Sequence, residues 1–404
     1  MKWEKVKLED VCEITSSKRI FYSEYVDDGV PFYRSKEIIE SDEGKVIENP
    51  LYISVDKYNE IKEKFGVPQT GDMLLTSVGT IGIPYIIKKN DCFYFKDGNL
   101  TWFRDFREGL NSKYLYYWIK SSEGTGILYN TTIGSSQKAL TISALKNIKV
   151  SLPPRSVQDK IVEVVSAYND LIENNQKQIK LLEEAAQRLY KEWFVDLHFP
   201  GHENTKIVDG VPEGWSKSTV FEVSAILRRG ISPKYNENAR GIVINQKCIR
   251  QTIVSYDEAR TQEKKYPAEL ELKEADIAIC STGAGTLGRV GQIYEVRENT
   301  TLDSHVTLIR ANEKIGQQYL FWSLKMQQDY LMSAGKGSTN QLELSRETIG
   351  SCGILIPERK IAEQVEKNFV AIHNKMKECS MQIARLREAR DLLLPKLMSG
   401  EVEV

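Results

Sequence analysis

"IVEVVSAYNDLIENNQKQIKLLEEAAQRLYKEW", residues 161–193, carries the pattern on which the fold turns. From Ile161 the row steps by fours and threes through Val165, Tyr168, Ile172, Asn175, Ile179, Leu182, Ala186, Leu189 and Trp193. Apolar side chains at a mean spacing of roughly 3.5 residues, sustained over heptads, mark a helix whose seam needs a partner helix. A second such row lies in the same chain. It runs through Val365, Phe369, Ile372, Met376, Cys379, Ile383, Leu386, Arg390, Leu393 and Leu397, beginning 204 residues after Ile161. Arg390 interrupts that row, and Pro395 is expected to kink or end the second helix, because it offers no N–H and crowds the preceding turn. Asn175 reads equally as a register-fixing polar residue or as a solvated defect.

The helices are one part of a larger duplication. "TSVGTIG" at 76–82 is answered by "TGAGTLG" at 282–288. Asp72 and Asp276, Gln137 and Gln341, and Pro153 and Pro357 are each 204 residues apart. Trp3 and Val11 match Trp215 and Val223 at an offset of 212, as small loop insertions would produce. Within each copy, "DMLLTSV", "CFYFKDG", "DIAICST" and "HVTLIRA" read as short strands between Gly and Asn turns, while "KYLYYWIK" and "QQYLFWSLK" read as helices. The prolines at 153–154 and 357 suit helix entry. The expected layout is therefore a β-rich domain over 1–152, a long helix over 153–198 and a linker over 199–214. A second β-rich domain over 215–356 and a second long helix with a tail over 357–404 complete it. The fold class is α+β, a tandem pseudo-two-fold repeat whose two helices pack as an antiparallel coiled coil.

Composition narrows the function. With 41% hydrophobic and 27% charged residues, the chain has the profile of a soluble globular protein of more than one domain. No apolar run is long enough for a membrane helix, and "MKWEKVKLED" lacks the apolar stretch of a signal peptide. The six cysteines, at 12, 92, 248, 280, 352 and 379, form no metal or disulfide spacing, which points to reduced thiols in a cytoplasm. A net charge of −1 counts against a nucleic-acid binder unless the basic residues are clustered.

Catalytic motifs are weak throughout. "GAGTLG" at 283–288 has dinucleotide-loop spacing, but "RVGQIYEV" after it reads as a strand, so the segment is a hairpin. "NPLY" at 49–52 lacks the second proline of the amino-methyltransferase motif, and "GKGST" at 335–339 lacks P-loop spacing. His198 and His202 flank a helix-breaking "FPG", so no metal site is expected. What remains suits DNA: Arg and Lys match phosphates and guanine, Asn and Gln match adenine edges. In the first copy the candidates are Lys18, Arg19, Arg34, Lys36, Ser136, Gln137 and Lys138. In the second they are Arg228, Arg229, Lys234, Asn245, Gln246, Lys247, Ser338, Asn340 and Gln341. The coiled-coil seam is assigned to Ile161, Val165, Ile172, Ile179, Leu182 and Leu189 with Val365, Phe369, Ile372, Ile383, Leu386 and Leu393.

This arrangement resembles the specificity subunit of Type I restriction–modification enzymes over nearly the whole chain. The likeness rests on the paired "GTIG" and "GTLG" turns, on "LPPRSVQDKIVEVV" at 152–165, on the bridge "QRLYKEWFVDLHFPGHE…GVPEGW" and on "LLLPKLMSGEVEV" at 392–404. It departs from the family where Arg19 stands in place of the glycine found as Gly230, and in the helix entries Val157-Gln158 and Glu363-Gln364. The resemblance implies two target-recognition domains, conserved spacer helices and no catalytic centre. It implies double-stranded DNA as a partner, with two modification (methyltransferase) subunits and with restriction (translocase/nuclease) subunits. S-adenosylmethionine, ATP and Mg are then expected on those subunits and none on this chain. The target should be bipartite and asymmetric, with half-sites about one helical turn, ~34 Å, apart. The rival reading is a coiled-coil adaptor that binds only protein.

Overall fold

A computed structural model describes every residue except 1–2, 43, 45–46, 135–137, 284 and 336–341. The chain divides into two compact units, one of Met1–Glu173 with Ala384–Val404 and one of Asn174–Ile383.

In the first unit, strands Glu13–Thr15, Leu100–Arg104, Met73–Thr76 and Pro84–Ile86 form one antiparallel sheet in that order. A second sheet orders Tyr25–Val26, Leu51–Ile53, Val30–Tyr33 and Tyr94–Phe95, the last two parallel. Glu4–Lys7 pairs with Lys149–Leu152. The second unit repeats the plan. Ser224–Arg229, Val306–Ala311, Ile277–Cys280 and Val290–Gln292 form the antiparallel sheet, and Ser216–Thr219 pairs with Gly353–Ile356. Arg260–Gln262, Gly241–Ile244 and Thr300–Leu302 form the mixed one, with the last two again parallel. The central strands, "MLLT" and "IAIC", are buried along their whole length, which explains why they read as unbroken apolar runs rather than alternating ones. The segments "KYLYYWIK" and "QQYLFWSLK" are helical as expected, within Ser112–Lys120 and Gln317–Met326.

The first long helix spans Arg155–Tyr190 and closes in a π turn over Lys191–Val195, and the second spans Arg359–Ser399. Inside the first unit, Ile161 and Val165 share a core with Leu394, Leu397 and Met398. There Arg390 donates to Asn169 at 2.8 Å and Lys160 to the Val404 carbonyl at 3.2 Å, so low numbers on one helix meet high numbers on the other. Inside the second unit, Cys379 faces Gln178, and Ala186 and Tyr190 share a core with Ile361, Val365 and Phe369. Both pairings are antiparallel. No seam residue assigned above is exposed, and Asn175 is buried rather than solvated. Pro395 does not end the second helix, which continues past it to Ser399. A proline near a helix end removes a single hydrogen bond, and Leu394, Leu397 and Met398 around it are buried in the first unit's core, which holds the last turn. The segment 199–214 holds a small hairpin, Ile207–Val208 with Val211–Pro212, and Phe199 packs on Trp215 with ring centroids 4.6 Å apart.

Each helix entry is tied into its sheet domain. Gln158, fully buried, accepts from Asn111 N at 2.9 Å and donates to the carbonyls of Gly109 and Pro153. In the second unit Glu366 accepts from the backbone N–H groups of Gln318 and Tyr319, capping helix Gln317–Met326. Burial raises its carboxyl pKa against those bonds. The Gln of the helix-entry motif is thus a scaffold residue.

Candidate nucleic-acid interface

The repeated turn that opens "GTIG" and "GTLG" is a β-hairpin in both units. Met73–Thr76 runs back on Pro84–Ile86, and Ile277–Cys280 on Val290–Gln292. Gly82 N donates to Thr76 O at 2.8 Å and Gly288 N to Cys280 O at 2.8 Å, the second turn carrying two extra residues. Among the described residues no helix opens at "GAGTLG", so no helix N-terminus is there to meet a nucleotide phosphate. Behind each hairpin a buried hydroxyl pair ties the central strand to its neighbour, Ser77 with Thr101 at 2.7 Å and Ser281 with Thr307 at 2.6 Å. The Ser77 carbonyl accepts from Leu140 N and the Ser281 carbonyl from Leu344 N, so the segments after 135–137 and 336–341 sit beside the hairpins.

The parallel strands supply a second pair of equivalent positions. Tyr33 pairs with Phe95 and Ile244 with Leu302. The next N–H closes the same bond in each case, Lys96 to Tyr33 O and Asp303 to Ile244 O, both 2.9 Å. Beyond these strand ends stand "RSK", residues 34–36, and "NQK", residues 245–247.

Most of the candidate cations hold carboxylates in the free chain. Arg34 forks onto buried Glu37, at 2.6 and 3.2 Å. Burial pushes the Glu37 carboxyl up, but the Arg34 bonds outweigh it and hold it below the usual carboxylate range. Arg19 pairs with Asp97 at 3.1 Å, Lys36 with Glu40 at 3.7 Å, Arg228 with Glu269, Arg229 with Glu343 at 2.7 Å and Lys234 with Glu263. Lys18 lies over the Phe65 ring at 4.5 Å and Lys138 over Tyr129 at 3.7 Å. Where both partners are exposed the pair is weak, so a phosphate can take over the cation at small cost, whereas Arg34 is held by a buried carboxylate. Ser136, Gln137, Ser338, Asn340 and Gln341 lie outside the described residues.

Asn245, Gln246 and Lys247 do come together, on one wall of a cleft of about 310 Å³. Arg260, Asp303 and His305 line it too, and none of these was singled out from sequence. Asn245 Oδ1 caps the short turn by accepting from Lys247 N at 2.8 Å. His305 Nδ1 is 2.7 Å from Thr282 Oγ1, which joins the cleft to the repeated hairpin. Burial raises the Asp303 carboxyl against the bond from His305 N. The signal available in the sequence was the "GAGTLG" hairpin, which is preceded by Thr282, the partner of His305. Among the described residues no group of three or more His, Cys, Asp or Glu can hold a metal ion, and no helix is long and apolar enough to cross a membrane.

A model of the Type I restriction modification DNA specificity domain matches residues 1–184. The Type I restriction enzyme MjaIX specificity subunit of Methanocaldococcus jannaschii is 27% identical, over 100% of this chain and 94% of that protein. The Type I restriction enzyme HindI specificity subunit of Haemophilus influenzae is 24% identical, over 65% of this chain and 71% of that one. In fold, the chain is similar to the crystal structure of a Type-I restriction-modification system S subunit from M. genitalium, with a TM-score of 0.60 and 16% identity over 98% of this chain and 96% of that chain. Duplicated sheet domains, paired helices and full-length relatives converge: residues 1–184 match the Type I restriction modification DNA specificity domain, and over its whole length the chain is similar to Type I restriction–modification specificity subunits.

Proposed function

We propose that the chain reads a DNA target in two unlike halves, one through each β-rich unit, and carries two modification subunits on its helices, restriction subunits joining the assembly. The observation that supports this is one hydrogen-bonded scaffold built twice with different side chains at the strand ends, "RSK" against "NQK". A non-catalytic specificity subunit needs no more of its own chemistry. S-adenosylmethionine, ATP and Mg belong to the partner subunits on this reading, and none is held by this chain. Free thiols at all six cysteines fit a reducing cytoplasm. A protein-only adaptor finds no support among the relatives, which carry the name of specificity subunits.

The experiment is a swap of residues 1–152 for the same part of another family member, followed by mapping of methylated adenines in cells that also express the modification subunit. One half of the target is expected to change and the other to persist. A single continuous palindrome, or a change in both halves, contradicts the reading. Binding of the assembled complex to DNA should weaken steeply with salt, as phosphate contacts require.

A further inference from the structure

The cleft in the second unit holds a buried polar atom that no described residue pairs. Gln246 Oε1 is buried yet accepts no hydrogen bond from the described residues. Burying an amide oxygen unpaired costs about 1–3 kcal/mol, so such a group points to something that arrives later. The first unit carries the same feature at the same place. Ser35, which follows Tyr33 as Gln246 follows Ile244, also has a buried side-chain oxygen without a partner. The neighbouring residues are satisfied within the chain, Arg34 by Glu37 and Asn245 by the Glu258 carbonyl and Lys247 N.

The hairpin makes room for the larger residue. Gly283 has φ +105°, and a Cβ there would sit 2.9 Å from Gln246 Nε2. A Cβ at 283 would meet Thr286 Oγ1 first, at 2.4 Å, and then this amide, so the glycine keeps the space beside both side chains open.

Charge selects the occupant. Lys247 and Arg260 face three carboxylates in this cleft, Asp257, Glu258 and Asp303. That balance repels a phosphate and suits hydrogen-bond donors. Arg260 is further committed, its guanidinium lying 3.4 Å from the Tyr235 ring centroid. A base edge with an exocyclic amine fits, and adenine fits best, because a Gln amide pairs with N6 and N7 together.

We infer that Gln246 is a specificity-determining residue, reading an amine-bearing base edge in the half-site bound by the second unit, and that Ser35 holds the equivalent position for the other half. The inference rests on the DNA-reading role proposed above and assigns that role to two atoms.

The test uses the assembled complex of this chain with its modification subunits, comparing wild type, Gln246→Ala, Gln246→Glu and Ser35→Ala. The readouts are the map of methylated sites and competition by duplexes substituted at each position in turn. Gln246→Ala is expected to relax one position of one half-site, with preference there falling about tenfold or more, and to leave the other half intact. Gln246→Glu, which keeps the shape and removes the donors, is expected to shift that position towards cytosine. Ser35→Ala should relax one position of the opposite half. An unchanged methylation map with preferences within twofold of wild type overturns the inference. So does loss of both halves in Gln246→Ala, which would make the residue a prop for the fold. If wild type itself methylates without regard to sequence, the DNA-reading role fails first, and that control separates the two failures.

Discussion

Asp72 in the first unit and Asp276 in the second occupy the same corner under the central strand, yet they are neutralised differently. Asp72 accepts from the Trp102 indole at 2.9 Å and from Gln69 N, and burial raises its carboxyl pKa against those bonds. Asp276, only 1% exposed, is gripped by Arg310 at 2.7 and 2.6 Å and accepts from Lys273 N. The backbone around them is the same: Ile87 and Ile293 donate to the two aspartate carbonyls at 2.8 and 2.9 Å. Even φ is kept, since Gly71 at +93° is matched by Ala275 at +68°. Duplication has preserved the main-chain bonds and let the buried side chains beneath them drift.

The largest expected asymmetry follows from those aspartates. Arg310→Met leaves a buried carboxylate without its counter-ion and should lower stability by about 3–5 kcal/mol. Trp102→Phe removes one neutral donor and should cost about 1–3 kcal/mol. Urea unfolding of both variants measures the difference, and equal losses would mean that the two corners are electrostatically alike. Next in size is the contrast between turn glycines. A Cβ on Gly288 would lie 2.4 Å from the Met332 backbone nitrogen, whereas one on Gly82 meets only Leu128 at 3.6 Å. Both have φ near +80°, at +76° and +85°. Gly82→Ala should therefore cost about 1–2 kcal/mol from backbone strain alone, and Gly288→Ala about 2–4 kcal/mol with the added clash, in the same unfolding assay.

Smaller still, Ser77→Ala and Ser281→Ala each strand one threonine hydroxyl and should cost about 1–2 kcal/mol, agreeing to within ~0.5 kcal/mol. Unequal costs would show that the shared scaffold is not energetically shared. The smallest effect is a pH dependence confined to the second unit. His373, on the second helix, stacks on Tyr294 at 4.2 Å and is 3.0 Å from Gln292 Oε1. Burial pushes its imidazole below the ordinary 6.5, against an opposing pull from Glu274. The unfolded chain therefore protonates first as pH falls, so this stabilisation is present above about 6.5 and is lost on acidification below it. His373→Gln should flatten the fall in Tm between neutral and mildly acidic buffer. A wild-type slope in that variant would place the titration elsewhere.

The duplication and both helices were legible because they depend on periodicity and offset, which a linear sequence preserves. Pro395 misled because its penalty is local, while the packing of Leu394, Leu397 and Met398 that overrides it is tertiary. The candidate contacts were the least legible part. Arg34 and Arg229 looked equally available, but one is committed to Glu37 and the other reaches Glu343, 114 residues away. Arg260 and His305 were passed over because nothing near them in sequence announces a cleft assembled from four separated segments. Gln246 was legible as a residue type, though its buried, unpaired oxygen appears only in the folded chain.

The first unit is made of two pieces, Met1–Glu173 and Ala384–Val404. On the ribosome, therefore, the part of the protein begun first is finished last. Leu394, Leu397 and Met398 must emerge before Leu8, Tyr114, Trp118 and Ile161 have a closed core. Residues 174–383 are contiguous and can complete their own core while the earlier unit still waits with an open apolar flank. Translation time thus becomes exposure time for the first unit, and a nascent chain stalled before residue 384 would present a sticky, half-built surface to chaperones while its later-made neighbour is already folded.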